Sequence, residues 1–330
     1  MHANVDPAQQ GPIPALEDIA VQITGPIPEA EPDIIPGLLP KAGQLVIAGE
    51  TNVGKSLVAL EICSSLTTGA PLWGNDQLTP LFTAKRIIYI LGEHYNEVIQ
   101  RLWHKTGLPM SDNVWLIGPA KLGGDKYLVA GGKPNMVAVD KLSKWCDGAD
   151  LIIFDPLAAF VTGAESENDN NVMRTVLDQM SAVSQNVGAA CLVLGHQGKP
   201  HQDPRSGVET ARKKYAIRGA SSIEDAATNI FYMSKLANEN GYEMFTMMKR
   251  KYKGDAPDEY RLARDPHTLC HTLLGNRPFN EVDRMSTQSM VGRVMAAVPG
   301  MKLGDVYNIC GAVVQKDPRT IQRYMEGAKS

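Results

Sequence analysis

The chain has little with which to build disulfides, bind zinc or cross a membrane. Its cysteines, Cys63, Cys146, Cys191, Cys270 and Cys310, are odd in number and form no C-x-x-C pair. A disulfide framework and a zinc ribbon are therefore not indicated. Cys63 and Cys191 fall in apolar runs and read as small core residues. No apolar run reaches the roughly 18 residues of a membrane span, and the N-terminus shows no basic, apolar, cleavable pattern. Charge of one sign is missing too: the net charge is -3 over 330 residues. Any polyanion must then be met by local basic patches rather than by the whole molecule. The expectation is a soluble protein of a reducing cytoplasm with no membrane partner. Hydrophobic residues make up 43%, enough for one large domain with or without a small appendage.

Four segments follow from composition and periodicity. Residues 1–42 are a proline-rich arm with "GPIP" twice, around an apolar stretch; they read equally as a flexible lead-in and as an arm that docks on a neighbouring subunit. Residues 43–275 alternate short apolar runs with helical patterns. "QLVIAG", "RIIYILG", "VWLIGP", "LIIFDP" and "ACLVLGH" read as buried strands, and continuous apolar strands separated by helices mean a parallel sheet covered on both faces. After residue 227, "TNIFYMSK", "EMFTMMKR", "EYRLAR" and "TLCHTLLG" predict an antiparallel extension. Residues 276–286 read as a linker and 287–330 as a small helical domain. The glycine-rich stretch 121–135 reads as no more than a mobile insertion.

The run "GETNVGKS", residues 49–56, follows a predicted strand and opens a predicted helix. That is the context of a phosphate-binding loop. Backbone N–H groups of Gly49, Glu50, Thr51, Asn52, Val53 and Gly54 can turn toward phosphate, and the helix N-terminus through Leu57 adds partial positive charge. Lys55 can reach β- and γ-phosphates, and Ser56 can hold Mg²⁺.

Three further residues end apolar strands. Asp155 closes "LIIFD", which suits a second Mg²⁺ contact; it could also cap the turn before Pro156. Glu93 follows "RIIYILG", where a carboxylate can deprotonate an attacking water; the alternative is an acid stabilising the next helix. His94, beside it, reads as a bystander. His196 closes "CLVLGH", where it can sense the γ-phosphate and pass its state to the following loop; the alternative is a surface histidine.

"AGETNVGKS", "YILGEHYNEVIQRL", "LIIFDPLAAF", "LVLGHQGK" and "RGASSIEDAATNIFYMSK", in this order, resemble the RecA-like ATPase core over about residues 35–275. Within that group the chain looks most like RepA-type hexameric replicative helicases of plasmids and phages. The resemblance implies ATP and Mg²⁺ as ligands, an α/β RecA-like fold, and a homo-oligomeric ring, a hexamer in that family. It implies that Arg218, or Lys249 or Arg250 in "MMKRKYKG", reaches a neighbouring subunit's nucleotide. Lys251 stands where an arginine is common, so the choice among the three stays open.

"QGKPHQDPRSGVETARKKYAI", between His196 and Arg218, carries Lys199, Arg205, Arg212, Lys213 and Lys214. In a ring it would line the channel and suit a single-stranded DNA backbone. In the tail, "DPRTIQRYM" resembles a helix-turn-helix recognition helix, with Asp317 as N-cap and Arg319 and Arg323 on one face; contact with nucleic acid and contact with a replication or loader protein remain level. A DNA motor, an assembly or loading switch, and a small-molecule kinase all use such a loop. The kinase reading fares worst, because no acceptor-binding or lid segment is legible.

Overall fold

The computed structural model describes residues 31–93, 96–109, 111–162, 170–196, 220–239, 242–251, 257, 259–275, 291, 294–295 and 301–314. Strand β1 (Gln44–Gly49) is buried along its whole length. Its one polar side chain, Gln44, donates from Nε2 to the carbonyl of Leu177 at 2.7 Å, so the amide is not buried unpaired. Helix α1 (Lys55–Thr68) follows and stops at Gly69, whose φ of 76° lets its N–H close on the carbonyl of Ser65. This is the left-handed C-terminal glycine that a helix end favours.

The chain then crosses to β2 (Ile87–Leu91), α2 (Asn96–Thr106) and β3 (Val114–Ile117). The stretch after it is built rather than a bare insertion. It forms α3 (Pro119–Leu122), β4 (Val129–Ala130) and β5 (Lys133–Pro134), and buries Leu122, Leu128 and Val129. Helix α4 (Met136–Trp145) starts at Asn135, whose side chain accepts from the N–H of Ala138. Next come β6 (Leu151–Asp155), β7 (Val161–Thr162), α5 (Asn170–Val187), β8 (Ala190–His196), α6 (Ala220–Ala226) and β9 (Asn229–Glu239). β7 joins β4 and β5 in a three-stranded sheet. The strands β10 (Tyr242–Lys251), β11 (Glu259–Arg264) and β12 (His271–Gly275) and the helix α7 (Leu303–Val314) complete the described elements.

The main sheet runs β12-β11-β10-β9-β1-β8-β6-β2-β3. From β9 to β3 every pairing is parallel, and from β9 to β12 every pairing is antiparallel. The change of direction comes one strand later than the sequence pattern suggests, because β9 pairs parallel with β1 on one edge and antiparallel with β10 on the other. Alternate residues of β1, β2, β6, β8 and β9 feed two cores. Leu45 and Ile47 pack with α1 and α2, whereas Val46 and Ala48 pack with α4, α5 and Ile223 of α6. Both faces being covered is what permits the unbroken apolar strands. A third apolar cluster joins Met244 and Leu274 to Val291, Val294, Val306, Ile309 and Cys310.

Cys63 and Cys191 are fully buried core residues, as read from the sequence, and burial pushes both thiols up. Among the described residues, no helix is long and apolar enough to cross a membrane. The proposed linker and the helix led by Asp317, with Arg319 and Arg323, lie outside the described residues.

Candidate active site

The order of strands sets where a ligand can bind. β1 lies between β8 and β9, while its own sequel in the chain, β2, is two strands further out. Connections on either side of such a point diverge and leave a crevice at the carboxyl ends of the strands. Gly49, at that end of β1, is level with His196 on β8 and with Met233 on β9.

The loop from Glu50 to Gly54 needs unusual backbone angles. Asn52 has φ 64° and Gly54 has φ 106°. Asparagine is one of the few side chains that tolerates the left-handed region, and glycine enters it freely. Gly49 is fixed by a different demand, close approach: a Cβ there would lie 2.3 Å from the carbonyl oxygen of Met233. Beyond the loop, Lys55 is buried, and its Nζ donates to the carbonyls of Gly49 at 3.0 Å and Glu50 at 2.8 Å. Burial lowers its pKa to about 8, with the carboxylates of Asp155 and Glu50 acting in opposition. An amine so poorly solvated gains from an anionic ligand beside it.

Ser56 and Asp155 meet directly. The hydroxyl of Ser56 donates to Oδ2 of Asp155 at 2.8 Å, and the phenol of Tyr89 donates to the same oxygen at 2.7 Å. Tyr89 is fully buried, and that burial, with the carboxylate alongside, holds its phenol well above the ordinary range. A hydroxyl and a carboxylate are the hard oxygen donors that Mg²⁺ takes, commonly alongside waters and phosphate oxygens. The donor set therefore fits that ion.

Glu93 stands just past β2 and is exposed. Its turn is tied down from two sides: Gly92 donates its N–H to the carbonyl of Asp155 at 2.8 Å, and Lys126 donates to the carbonyl of Gly92 at 2.9 Å. A cleft of about 490 Å³ brings these groups together. It is lined by Thr51, Asn52, Gly54, Lys55, Ser56, Leu57, Glu93, Leu102, Asp155, Pro156, His196 and Arg264. Residues from five separate strand ends thus converge where the sequence placed phosphate chemistry.

The remaining cations are elsewhere. Lys249 is level with Phe231, and Lys251 with Ile230, so this end of β10 runs toward the edge of the sheet away from the phosphate loop. Arg250 donates from Nε to Glu224 at 3.0 Å, and Lys251 donates to the carbonyls of Glu224 and Asp225. None of the three lines the cleft. Arg218, His94 and the basic stretch with Lys199, Arg205, Arg212, Lys213 and Lys214 lie outside the described residues.

Sequence reasoning missed two residues. Tyr89 sits in an apolar strand and reads as core. Arg264 shares the parity of the apolar Tyr260 and Leu262 in "EYRLAR", but as a charged residue ending its strand it reads as solvated. Its Nε donates to Glu243 at 2.9 Å, its Nη2 also reaches that carboxylate, and its guanidinium carbon lies 4.6 Å from the centre of the Phe245 ring. Lys235 pairs with the same Glu243. Burial opposes ionisation of that carboxyl, but the two cations win and hold it below the usual carboxylate range. A signal was available for a second polar group: Glu61 interrupts the apolar helix pattern "LVALEICSSL". It is buried, and it accepts from Trp73 Nε1 at 2.9 Å and sits 2.9 Å from His271 Nδ1.

Among solved structures, the chain is similar to the ATPase domain of G40P, with a TM-score of 0.47 and 11% identity over 70% of this chain and 84% of that one. No curated protein matches it in sequence. The AAA_25 family of AAA domains matches residues 12–202, more than half of the chain. With a P-loop on the central strand of a mostly parallel, RecA-like sheet, this chain is an ATPase belonging to the AAA_25 family.

Proposed function

We propose that the chain is a ring-forming motor that spends ATP on moving along single-stranded DNA, in the replication of a plasmid or phage. The observation that carries this reading is the convergence of Glu93, Asp155 and His196 with the phosphate loop in one cleft. A helicase needs its hydrolysis site wired to whatever grips DNA, and His196 stands between the two. It lines the cleft, and the residues that follow it in the chain are the basic stretch Lys199 to Lys214.

In this reading the backbone from Gly49 to Gly54 surrounds the phosphate chain of ATP, and Lys55 leaves its two carbonyl partners to take the β- and γ-phosphates. Ser56 and Asp155 hold Mg²⁺, which neutralises charge on the phosphate oxygens when bound. Glu93 orients and deprotonates the attacking water, and being exposed at a strand end it has room for that water. His196 reports loss of the γ-phosphate to the basic stretch. A cation from the adjoining subunit, Arg218, Lys249 or Arg250, completes the charge. The direction of β10 supports the trans assignment for the last two, because they lie away from their own phosphate loop. A cation supplied head to tail requires a ring or filament. Residues 1–30 serve as a docking arm and 287–330 as a nucleic-acid or loader contact; Ile34, Ile35, Leu38 and Leu39, expected in that arm, instead pack in the core shared with Leu45 and Ile47.

The decisive experiment is strand displacement on a forked duplex with ATP, with a Lys55→Ala protein as control. Unwinding that depends on ATP and is absent in the control supports the motor. Hydrolysis stimulated by single-stranded DNA with no displacement from either fork polarity would instead make the chain an assembly or loading switch.

A further inference from the structure

The cleft has a second cation of its own. Among the described residues that line it, only Lys55 and Arg264 are lysine or arginine, against Glu93 and Asp155. Arg264 comes from the far antiparallel half of the sheet, 210 residues beyond Gly54 in the sequence (264 − 54). It pairs with Glu243, which pairs in turn with Asn238, five positions past the level of Met233 and Gly49. That register lifts it to the phosphate-loop side of the sheet, unlike Lys249 and Lys251.

The guanidinium is fixed on three sides. Glu243 takes Nε and Nη2, and Phe245 covers one planar face. Phe245 is itself set edge-on against His271, with ring centres 5.5 Å apart. His271 is anchored through its backbone N–H and Nδ1 to Glu61 of α1. The remaining edge, Nη1, has no hydrogen-bond acceptor among the described residues and faces the loop: a Cβ on Gly54 would lie 2.8 Å from it. Because Glu243 is shared with Lys235, one carboxylate faces two cations and a net positive charge is left beside the loop.

We infer that Arg264 is a nucleotide-binding residue acting within its own subunit, with its Nη1 edge directed to the phosphate chain seated on Gly54, Lys55 and Ser56. This rests on the cleft being the ATP site. A planar guanidinium with two donors committed to a carboxylate and one edge free is suited to an oxyanion, and its held orientation lowers the entropy lost on binding. The competing role is purely structural, an ion pair that ties β11 to β10.

The test is calorimetric titration of ADP and of inorganic pyrophosphate into the full chain carrying Arg264→Gln, Arg264→Lys or Lys235→Gln, with circular dichroism as the folding check. Arg264→Gln is expected to weaken both ligands about tenfold or more, as loss of a charged hydrogen bond does. Lys235→Gln, which keeps the Arg264 edge but removes the surplus charge on Glu243, is expected to weaken both ligands less than Arg264→Gln does. Unchanged affinity in Arg264→Gln overturns the inference, and so does a loss for ADP with none for pyrophosphate, which would put the contact on the nucleoside. Should Arg264→Gln not fold, Arg264→Lys decides alone: a compact ammonium cannot serve Glu243 and phosphate together, so weakened pyrophosphate binding supports the inference and unchanged binding overturns it. Lys55→Ala separates the two levels, since normal ADP binding in that variant would sink the cleft assignment itself.

Discussion

Tyr89 and Ser56 donate to one and the same oxygen of Asp155, at 2.7 and 2.8 Å. The carboxylate is thereby aimed before any ion arrives. Tyr89→Phe keeps the ring in its buried place and removes only the donor. The loss expected for a hydrogen bond to a charged group is about 1.5–3 kcal/mol. Urea unfolding of the apo chain measures it, and a stability equal to that of the unaltered protein would mean that Tyr89 merely fills space.

Glu93→Gln preserves shape and removes the base. ATP binding is expected to persist while turnover falls by roughly two to four orders of magnitude. A filter-binding assay beside a phosphate-release assay separates the two effects. Loss of binding together with turnover would make Glu93 a structural acid.

Gly49→Ala tests the packing of the loop against β9. The added methyl would lie 2.3 Å from a backbone oxygen of Met233 and 3.0 Å from Val53 Cγ1, and a backbone atom in a central strand cannot step aside cheaply. Overpacking of this kind costs about 1–3 kcal/mol. The midpoint of thermal unfolding should drop, and nucleotide affinity should fall with it, because Val53 belongs to the loop.

Acid should loosen the antiparallel half first. Glu243 is held below the usual carboxylate range by Lys235 and Arg264 against the cost of burial. Asp265 is likewise held down, against that cost, mainly by N–H groups of Thr268 and His267. A carboxyl with a lowered folded-state pKa stabilises the fold fully above its unfolded value of about 4, and that stabilisation disappears as pH falls through the folded one. The double variant Glu243→Gln/Asp265→Asn should therefore show a flatter loss of stability between neutral pH and the acid limb. A denaturation series over pH reads this out; an unchanged slope would assign the acid sensitivity to other groups.

Most of the parallel half was legible because two local signals coincide there. β1 and β8 are unbroken apolar runs, and the phosphate loop between β1 and α1 has its own spacing rule. Glu93, Asp155 and His196 could be found because a polar residue ending an apolar strand stands out. Tyr89 could not, since an aromatic in a buried strand carries no mark of what its hydroxyl meets. Arg264 was hidden for another reason: its contact with Gly54 depends on the register of three antiparallel strands, and nothing local in "EYRLAR" encodes it. The stretch 121–135 was misjudged because its glycines mask a few apolar residues, Leu122, Leu128 and Val129, whose partners are distant in sequence.

The pairing of β1 with β9 has a consequence for synthesis. β1 is made early, yet its neighbours β8 and β9 leave the ribosome some 150 to 190 residues later. Until then its edges have no permanent partner, and contacts that close over such distances form slowly. The phosphate motif is thus present in the nascent chain long before a binding site exists, because the floor under Gly54 is completed only when Arg264 and His271 arrive. A chain cut before that point carries the signature of an ATPase and lacks the platform on which it stands.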